Sequence, residues 1–243
     1  MAKLIVGTIR TVVLMHLLMI CTITLRFSIL KLVLKNRKNS NSQFYQDLMV
    51  LTFQNQKMDL EEFFFVEFGA TNGKDLSNSL LFEKTFGSKG IVAEPAKIWH
   101  SELFANRNCT IVTDCVWSHS NLNLEFFESV NPDLSGLNTE KLFYRKRQLE
   151  KSYLVKTISL LDLLQNNNAP KKIDLLSIDT EGSEFEILSA FDFEKWSFNV
   201  IICEHNFSKD RKRIRNLLEK NGYKRRFSYI SFVDDWYFLT LKP

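Results

Sequence analysis

The chain has 243 residues, of which 45% are apolar and 25% charged. That is enough for one α/β domain with a full core, and it excludes wholesale disorder. Eight glycines and four prolines exclude collagen-like or linker-dominated architectures. The net charge of +4 is unevenly spread: residues 1–38 hold seven basic residues and no acid, which leaves 25 basic against 28 acidic residues for the rest. The basic character belongs to the N-terminal segment and gives no argument for a nucleic-acid partner. A local exception is 209–226, where nine Lys and Arg face only Asp210 and Glu219. That cluster suits either a solvated helix face or an anionic substrate or partner. The four cysteines show neither a Cys-x-x-Cys pair nor zinc-ligand spacing. They read as buried free thiols in a reducing compartment, which points to the cytosolic side.

Residues 11–25 form the longest uncharged run, with apolar shoulders at Leu4–Ile9 and Phe27–Leu34. A spanning helix needs about 20 apolar residues, a length reached only by including Arg10 or Arg26. A single transmembrane anchor suits the length and the cationic flank Arg26–Lys38, and the positive-inside bias then places the domain in the cytoplasm. An interfacial helix suits the phase, because Lys3, Arg10, Lys31, Lys35 and Lys38 share one side of a helical wheel. A cleaved signal peptide is disfavoured by the lack of a small-x-small cleavage pattern. Residues 1–38 are therefore expected to be a membrane-anchor or interfacial segment, followed by a polar linker. The domain is expected to occupy 39–243.

Phe63–Phe68 is a short apolar run that stops at Gly69, as a buried parallel strand would. The small-residue turn Gly69–Gly73 follows, then helical spacing over Asn78–Phe86. Gly90–Ala93 is a second buried strand ending at Glu94-Pro95, with a helix around Ile98–Asn106. Thr110–Val116 reads as a third strand with Asp114 near its end. Leu122–Phe127 alternates like a half-solvated strand, 129–152 reads as a long loop or lid, and Tyr153–Ile158 precedes a helix at Leu160–Leu164. Ile173–Ile178 is a buried strand ending at Asp179, with a helix over Ser183–Ser189. Val200–Cys203 ends at Glu204-His205, and Arg211–Lys220 is a basic amphipathic helix. Arg226–Val233 and Trp236–Leu241 finish as an antiparallel pair at the sheet edge. Strand–helix alternation of this kind predicts an α/β doubly wound sheet with helices on both faces. Seven strands with a terminal hairpin is the count of a class I methyltransferase-like Rossmann fold.

Ligands bind at the carboxyl ends of strands in such sheets, and five strand ends carry acids: Glu67, Glu94, Asp114, Asp179 with Glu181, and Glu204. Glu67-x-Gly69-x-x-x-Gly73 follows a strand and opens toward a helix whose N-terminal amides could meet an anionic group. An acid at the end of the second strand suits a ribose diol, which fits Glu94. The fuller Gly-x-Gly-x-x-Gly spacing of NAD enzymes is missing, which disfavours a nucleotide-dependent oxidoreductase.

The chain resembles the FkbM-type S-adenosylmethionine-dependent methyltransferases from Ser42-Gln43 to Asp235-Trp236. The matching blocks are Gln46-Asp47, Phe65–Gly73 with Leu76–Asn78, Gly90–Pro95, Asn106-Arg107, Thr157–Leu164, Ile173–Leu188 and Cys203–Asn206. The resemblance implies S-adenosylmethionine as cofactor, held by the loop Glu67, Gly69, Ala70, Thr71, Asn72 and Gly73 together with Asn78. It implies Glu94 as the ribose ligand and Asp114 near the adenine. Thr71-Asn72 departs from the glycine-rich loop of many other methyltransferases. Asp179 and Glu181 look like active-site acids, and the resemblance does not decide which of Asp179, Glu181, Glu204 or His205 removes a proton. His205 has the ordinary pKa for that base, while the same four residues could hold a divalent metal that acidifies a hydroxyl; no metal site is predicted. The expected activity is O-methylation of a sugar, glycan or lipid-linked hydroxyl near the cytoplasmic membrane face. A membrane-tethered binding or trafficking protein that keeps the fold without catalysis is the alternative, and the intact acidic rim argues against it.

Overall fold

The computed structural model describes residues 2–24, 27–53, 60–137 and 149–240, with side chains from Ile5 onward. Three helices lead the chain: α1 (Ala2–Ile23), α2 (Phe27–Asn36) and α3 (Gln46–Phe53). The main sheet contains β1 (Phe64–Phe68), β2 (Lys89–Ala93), β3 (Thr110–Val112), β8 (Lys172–Ile178), β9 (Ser197–Glu204), β10 (Tyr223–Arg226) and β11 (Asp234–Leu239). Its spatial order is β3-β2-β1-β8-β9-β11-β10. The strands from β3 to β9 are parallel, and β11 runs antiparallel to both its neighbours. This is the expected class I methyltransferase-like arrangement, with β2 and β3 on one side of β1 and the later strands on the other. The order reverses between β1 and β8, which opens a crevice at their carboxyl ends.

Alternation along the strands divides the core. Phe65 of β1 and Leu175 of β8 pack on one face with α1 to α3, α4 (Leu80–Phe86) and α5 (His100–Asn106). Val66, Phe68 and Leu176 pack on the other with α6 (Leu160–Asn166), α7 (Glu184–Ser189) and α8 (Arg211–Lys220). Helices thus cover both faces, as period-two burial on a parallel sheet requires.

A second sheet was not expected from the sequence. The run Thr110–Val116 is not one strand: it breaks at Thr113-Asp114, and β4 (Cys115–Trp117) leaves to pair with β7 (Leu149–Ser159). With β5 (Asn123–Ser129) and β6 (Gly136–Leu137) it forms a four-stranded sheet in the order β4-β7-β5-β6. The expected loop over 129–152 therefore contains β6 and the start of β7, and its residues 138–148 lie outside the described ones. The expected strand Arg226–Val233 ends at Arg226, because Phe227 turns at a φ of 59° and Ile230, Ser231 and Asp234 bond locally.

α1 and α2 share a core with the domain. Val13, Leu17, Cys21 and Val33 are fully buried in one cluster with Phe44, Leu48 and Leu51. The Arg10 guanidinium donates to the Ser40 carbonyl at 3.4 Å and stacks over the Tyr45 ring. The boundary expected at residues 38 and 39 thus separates two stretches with a continuous interior. Four of the nine basic residues in 209–226 are engaged in ion pairs: Arg211 and Arg225 pair with Asp235, Arg213 with Asp210 and Arg215 with Glu219.

Candidate active site

A cavity of about 860 Å³ opens at the carboxyl ends of β1, β2, β8 and β9. The second sheet closes its far side through Cys115, Val116, Phe126 and Leu137, so the strand that departs after the break walls the site. Its size falls in the range of small-molecule sites.

The glycine-containing turn is fixed by hydrogen bonds. Gly69 N and Ala70 N donate to Ala93 O, and Gly73 N donates to Ala70 O at 2.7 Å. Gly69 has φ +71°, and a Cβ built on it would collide with the Asp179 carbonyl oxygen. The residue must be glycine because the end of β8 passes against it. Asn72 Oδ1 accepts from Lys74 N and Asp75 N, and Asn106 Nδ2 donates to Asn72 O.

Glu67 faces the cavity, but its carboxylate is engaged by the protein. It accepts from the Ser77 hydroxyl at 2.8 Å, the Asn78 amide at 2.6 Å and the Ser79 hydroxyl at 2.6 Å. Ser77 Oγ accepts from Leu80 N. The amides at the start of α4, expected to face an anion, are therefore already satisfied. Arg107 completes this brace. Its side chain is fully buried and reaches Glu67 at 3.2 Å, Glu83 at 2.6 Å, Ser79 Oγ at 2.7 Å and Gly73 O at 3.2 Å. Sequence reasoning placed Arg107 in a matching block without a role; its only signal was that block.

Glu94 is buried at the end of β2 and accepts from Thr71 N at 2.8 Å and Ala96 N at 2.7 Å. Burial outweighs these two bonds and raises its carboxyl to about 7. Asn78 donates through Nδ2 to Ser177 Oγ at 3.0 Å, while its buried Oδ1 has no donor.

Opposite stand the acids of β8 and β9. Asp179, Glu181 and Glu204 each offer an oxygen, and the three oxygens lie within 4.8 Å of one another. The Asp179 side chain keeps exposed surface, and that surface faces the cavity. Burial raises both Asp179 and Glu204, and their mutual repulsion together with Glu181 adds to it. Such a pair carries one proton between its members, with Glu204 donating a hydrogen bond to Asp179. Hard oxygens so close could also take a divalent cation. The turn beneath them is held by Glu184, which accepts from Thr180 N, Thr180 Oγ1 and Gly182 N. Glu184 rather than Asp179 satisfies the amides ahead of α7, so Asp179 is free of a capping duty.

Three expected site residues lie off the cavity wall. Gly73 packs against Arg107 and Leu103. Asp114 sits in the break between β3 and β4. His205 is buried behind the site, its Nδ1 accepting from Phe207 N at 3.0 Å and its Nε2 lying 3.8 Å from Asp235. Burial lowers its pKa, Asp235 opposing and Arg211 and Arg225 reinforcing that shift. The remaining expected residues, including Gly69, Ala70, Thr71 and Asn72, line one cavity.

The model of the family described as Methyltransferase FkbM domain matches residues 67–225. The chain belongs to the FkbM methyltransferase family. The FkbM match begins on Glu67 itself and ends on β10, leaving α1 to α3 and β11 outside it. Membership carries with it the general use of S-adenosylmethionine as methyl donor. The FkbM fold is similar to a precorrin-6y C5,15-methyltransferase from Geobacter metallireducens GS-15, with 12% identity and a TM-score of 0.43 over 76% of this chain and 73% of that one. It is also similar to a chain of a fibrillarin/Nop5p complex, with 12% identity and a TM-score of 0.39 over 79% of each chain. No curated protein matches the chain.

Proposed function

We propose that this protein is an S-adenosylmethionine-dependent O-methyltransferase. Its acceptor would be a hydroxyl of a sugar, glycan or lipid-linked molecule at the cytoplasmic face of a membrane, and no nucleic acid is called for. The observation that carries the reading is that Asp179, Glu181 and Glu204 bring carboxyl oxygens within 4.8 Å of one another in the cavity that Glu94 also lines.

The residues fit the methyl donor. Glu94 retains acceptor capacity beyond its two amide bonds, which suits a ribose diol, and the undonated Asn78 Oδ1 suits an ammonium or hydroxyl. Ala70, Thr71 and Asn72 would flank it, the apolar wall at Val116 and Phe126 would take an aromatic base, and Asp114 would act from behind that wall. When bound, S-adenosylmethionine supplies an electrophilic methyl group on a sulfonium cation.

The chain's own residues would do the rest. Asp179, facing the cavity, takes the proton of the acceptor hydroxyl on its carboxylate, whose basicity the desolvation and the neighbouring Glu181 raise. Glu204 holds the one proton of the pair, and Glu181 adds negative potential at the cavity floor. His205 would act at a remove, by holding the 205–207 turn against Asp235, since neither ring nitrogen reaches the cavity wall. Most of the catalysis would lie in positioning two reactants within one closed cavity.

Incubating the purified chain with methyl-labelled S-adenosylmethionine and a library of glycans and polyprenyl or glycerol lipids tests this. Label is expected on a hydroxyl oxygen with the wild type and not with Asp179→Asn. Label on nitrogen, or equal labelling by the variant, would overturn it.

A further inference from the structure

Among the described residues, the outer side of α1 carries no charge. Ile5, Val12, Met15, Met19 and Ile23 are all exposed at spacings of three, four and seven, and they form one stripe. Arg10, the single charged residue of α1 whose side chain is described, is turned inward to Ser40 and Tyr45. The hydroxyls of Thr11 and Thr22 donate to carbonyls one turn back, so they present little unmet polarity. The opposite stripe, Ile9, Val13, Leu17 and Cys21, is buried along the same length of helix. α1 thus lies along the domain with one apolar face inward and one outward.

Two neighbouring stretches carry further exposed apolar side chains. On α2, exposed Phe27 and Leu34 share a face with exposed Lys31 and Lys35, followed by exposed Arg37 and Lys38. The chain contains no acid before Asp47, which is buried. On the other side, His16 of α1 touches the exposed Tyr229 ring at 5.4 Å. Tyr229 belongs to the turn that carries exposed Phe232, and Val233 O accepts from His205 N and Asn206 N. Those bonds tie the turn that carries Phe232 to the 205–207 segment, where Asn206 lines the cavity and Phe207 is exposed.

We propose that the outer stripe of α1, the mixed face of α2 and the rings of Tyr229, Phe232 and Phe207 form one docking surface. This surface lies flat on an anionic lipid leaflet and holds the mouth of the cavity against it. Lysines beside apolar residues on one helix face are placed to reach lipid phosphates while their neighbours enter the acyl boundary. A second copy of the chain would have to cover the same lysines with matching acids, and the surface itself offers none. Crossing the bilayer would pull Val13, Leu17 and Cys21 away from Phe44, Leu48 and Leu51 and leave those three in water. The inference rests on the membrane part of the reading above and sharpens it: α1 lies in the plane, and the acceptor enters from the leaflet.

Sedimentation of the full chain with phosphatidylcholine vesicles, with and without phosphatidylserine, tests it. Binding is expected to need phosphatidylserine and to be released by alkaline carbonate. Lys31→Gln with Lys35→Gln should weaken it about thirtyfold, at about 1 kcal/mol per basic residue. Met15→Asp with Met19→Asp, and separately Phe207→Asp with Phe232→Asp, should abolish it. Leu154→Asp, an exposed apolar site on the second sheet, should change nothing. Binding of S-adenosylhomocysteine, measured on every variant, reports whether the site is intact. Retention through carbonate would mean a spanning helix and overturn the proposal. So would a soluble dimer that ignores vesicles, unaffected binding by the aspartate variants, or a mature chain cleaved after the apolar run. Vesicle binding without any S-adenosylhomocysteine affinity would instead defeat the methyltransferase reading and leave the docking surface standing.

Discussion

Gly69 and Asp179 meet backbone to backbone, the glycine at φ +71° leaving room for the Asp179 carbonyl where any Cβ would collide with it. Asp179 N also donates to Phe68 O at 3.2 Å, so the ends of β1 and β8 are locked at this point. The Gly69–Gly73 turn and Asp179, which line the same cavity, are thereby one rigid unit. Gly69→Ala should cost about 2–5 kcal/mol, combining the left-handed backbone penalty with overpacking. Denaturant unfolding checks this, and a variant as stable as wild type would mean that the two loops are not in contact.

Arg107 holds Glu67 and Glu83 together with its own side chain fully buried. Arg107→Met would leave two buried carboxylates short of a partner, a loss of about 3–5 kcal/mol. Arg107→Lys should rescue only part of that, because one ammonium cannot reach Glu67, Glu83, Ser79 and Gly73 together. Chemical denaturation of both variants measures the difference, and an Arg107→Lys variant as stable as the wild type would remove the fork geometry from the account.

Glu94 should make cofactor affinity depend on pH. Its carboxyl is raised to about 7 in the folded chain from an ordinary 4.5. The folded state therefore binds the proton more tightly, and stability falls as pH rises between those values. Hydroxyl donors from a ribose favour the ionised form, so affinity for S-adenosylhomocysteine should increase as pH rises through about 7. Glu94→Gln should flatten that profile, and a wild-type profile already flat across this range would separate Glu94 from the ribose.

Removing residues 1–40 should not leave a stable soluble domain. Ile9, Val13, Leu17 and Cys21 of α1 bury apolar surface in the cluster that holds Phe44 and Leu48. At about 1.5–3 kcal/mol per buried side chain, the truncated chain would lose about 5 kcal/mol or more. Thermal unfolding of a chain starting at Asn41 tests this; a melting temperature equal to that of the full chain would show that α1 and α2 contribute nothing to the core.

The sequence carried the main sheet well because its strands are short apolar runs closed by Gly69, Glu94, Asp179 and Glu204. The basic helix Arg211–Lys220 matched its periodicity to the residue. The second sheet was hidden because Thr110–Val116 is continuous in hydrophobicity, and only tertiary pairing of Cys115–Trp117 with β7 divides it. β7 is polar through most of its length, so alternation marks only its last residues. A 22-residue apolar helix looks alike in sequence whether it spans a bilayer or packs on a domain, and the burial of Val13, Leu17 and Cys21 comes from tertiary partners that its periodicity does not name. The strand-end acids were legible as a group. Their division into Glu67 as brace, Glu94 as open acceptor and Asp179 with Glu204 as a pair depends on partners distant in sequence.

The most direct measurement is calorimetric titration of the full chain, Glu94→Ala and Asp179→Asn with S-adenosylhomocysteine, and of the full chain with NAD. The account predicts saturable one-site binding of S-adenosylhomocysteine and none of NAD. It predicts a loss of about 1.5–3 kcal/mol for Glu94→Ala, the worth of a hydrogen bond to a charged group. Asp179→Asn should bind within a few fold of wild type while methyl transfer falls by about 10²–10⁴, the contribution of a positioned base. Absence of S-adenosylhomocysteine binding by the folded wild-type chain, or binding of NAD in its place, would contradict the account.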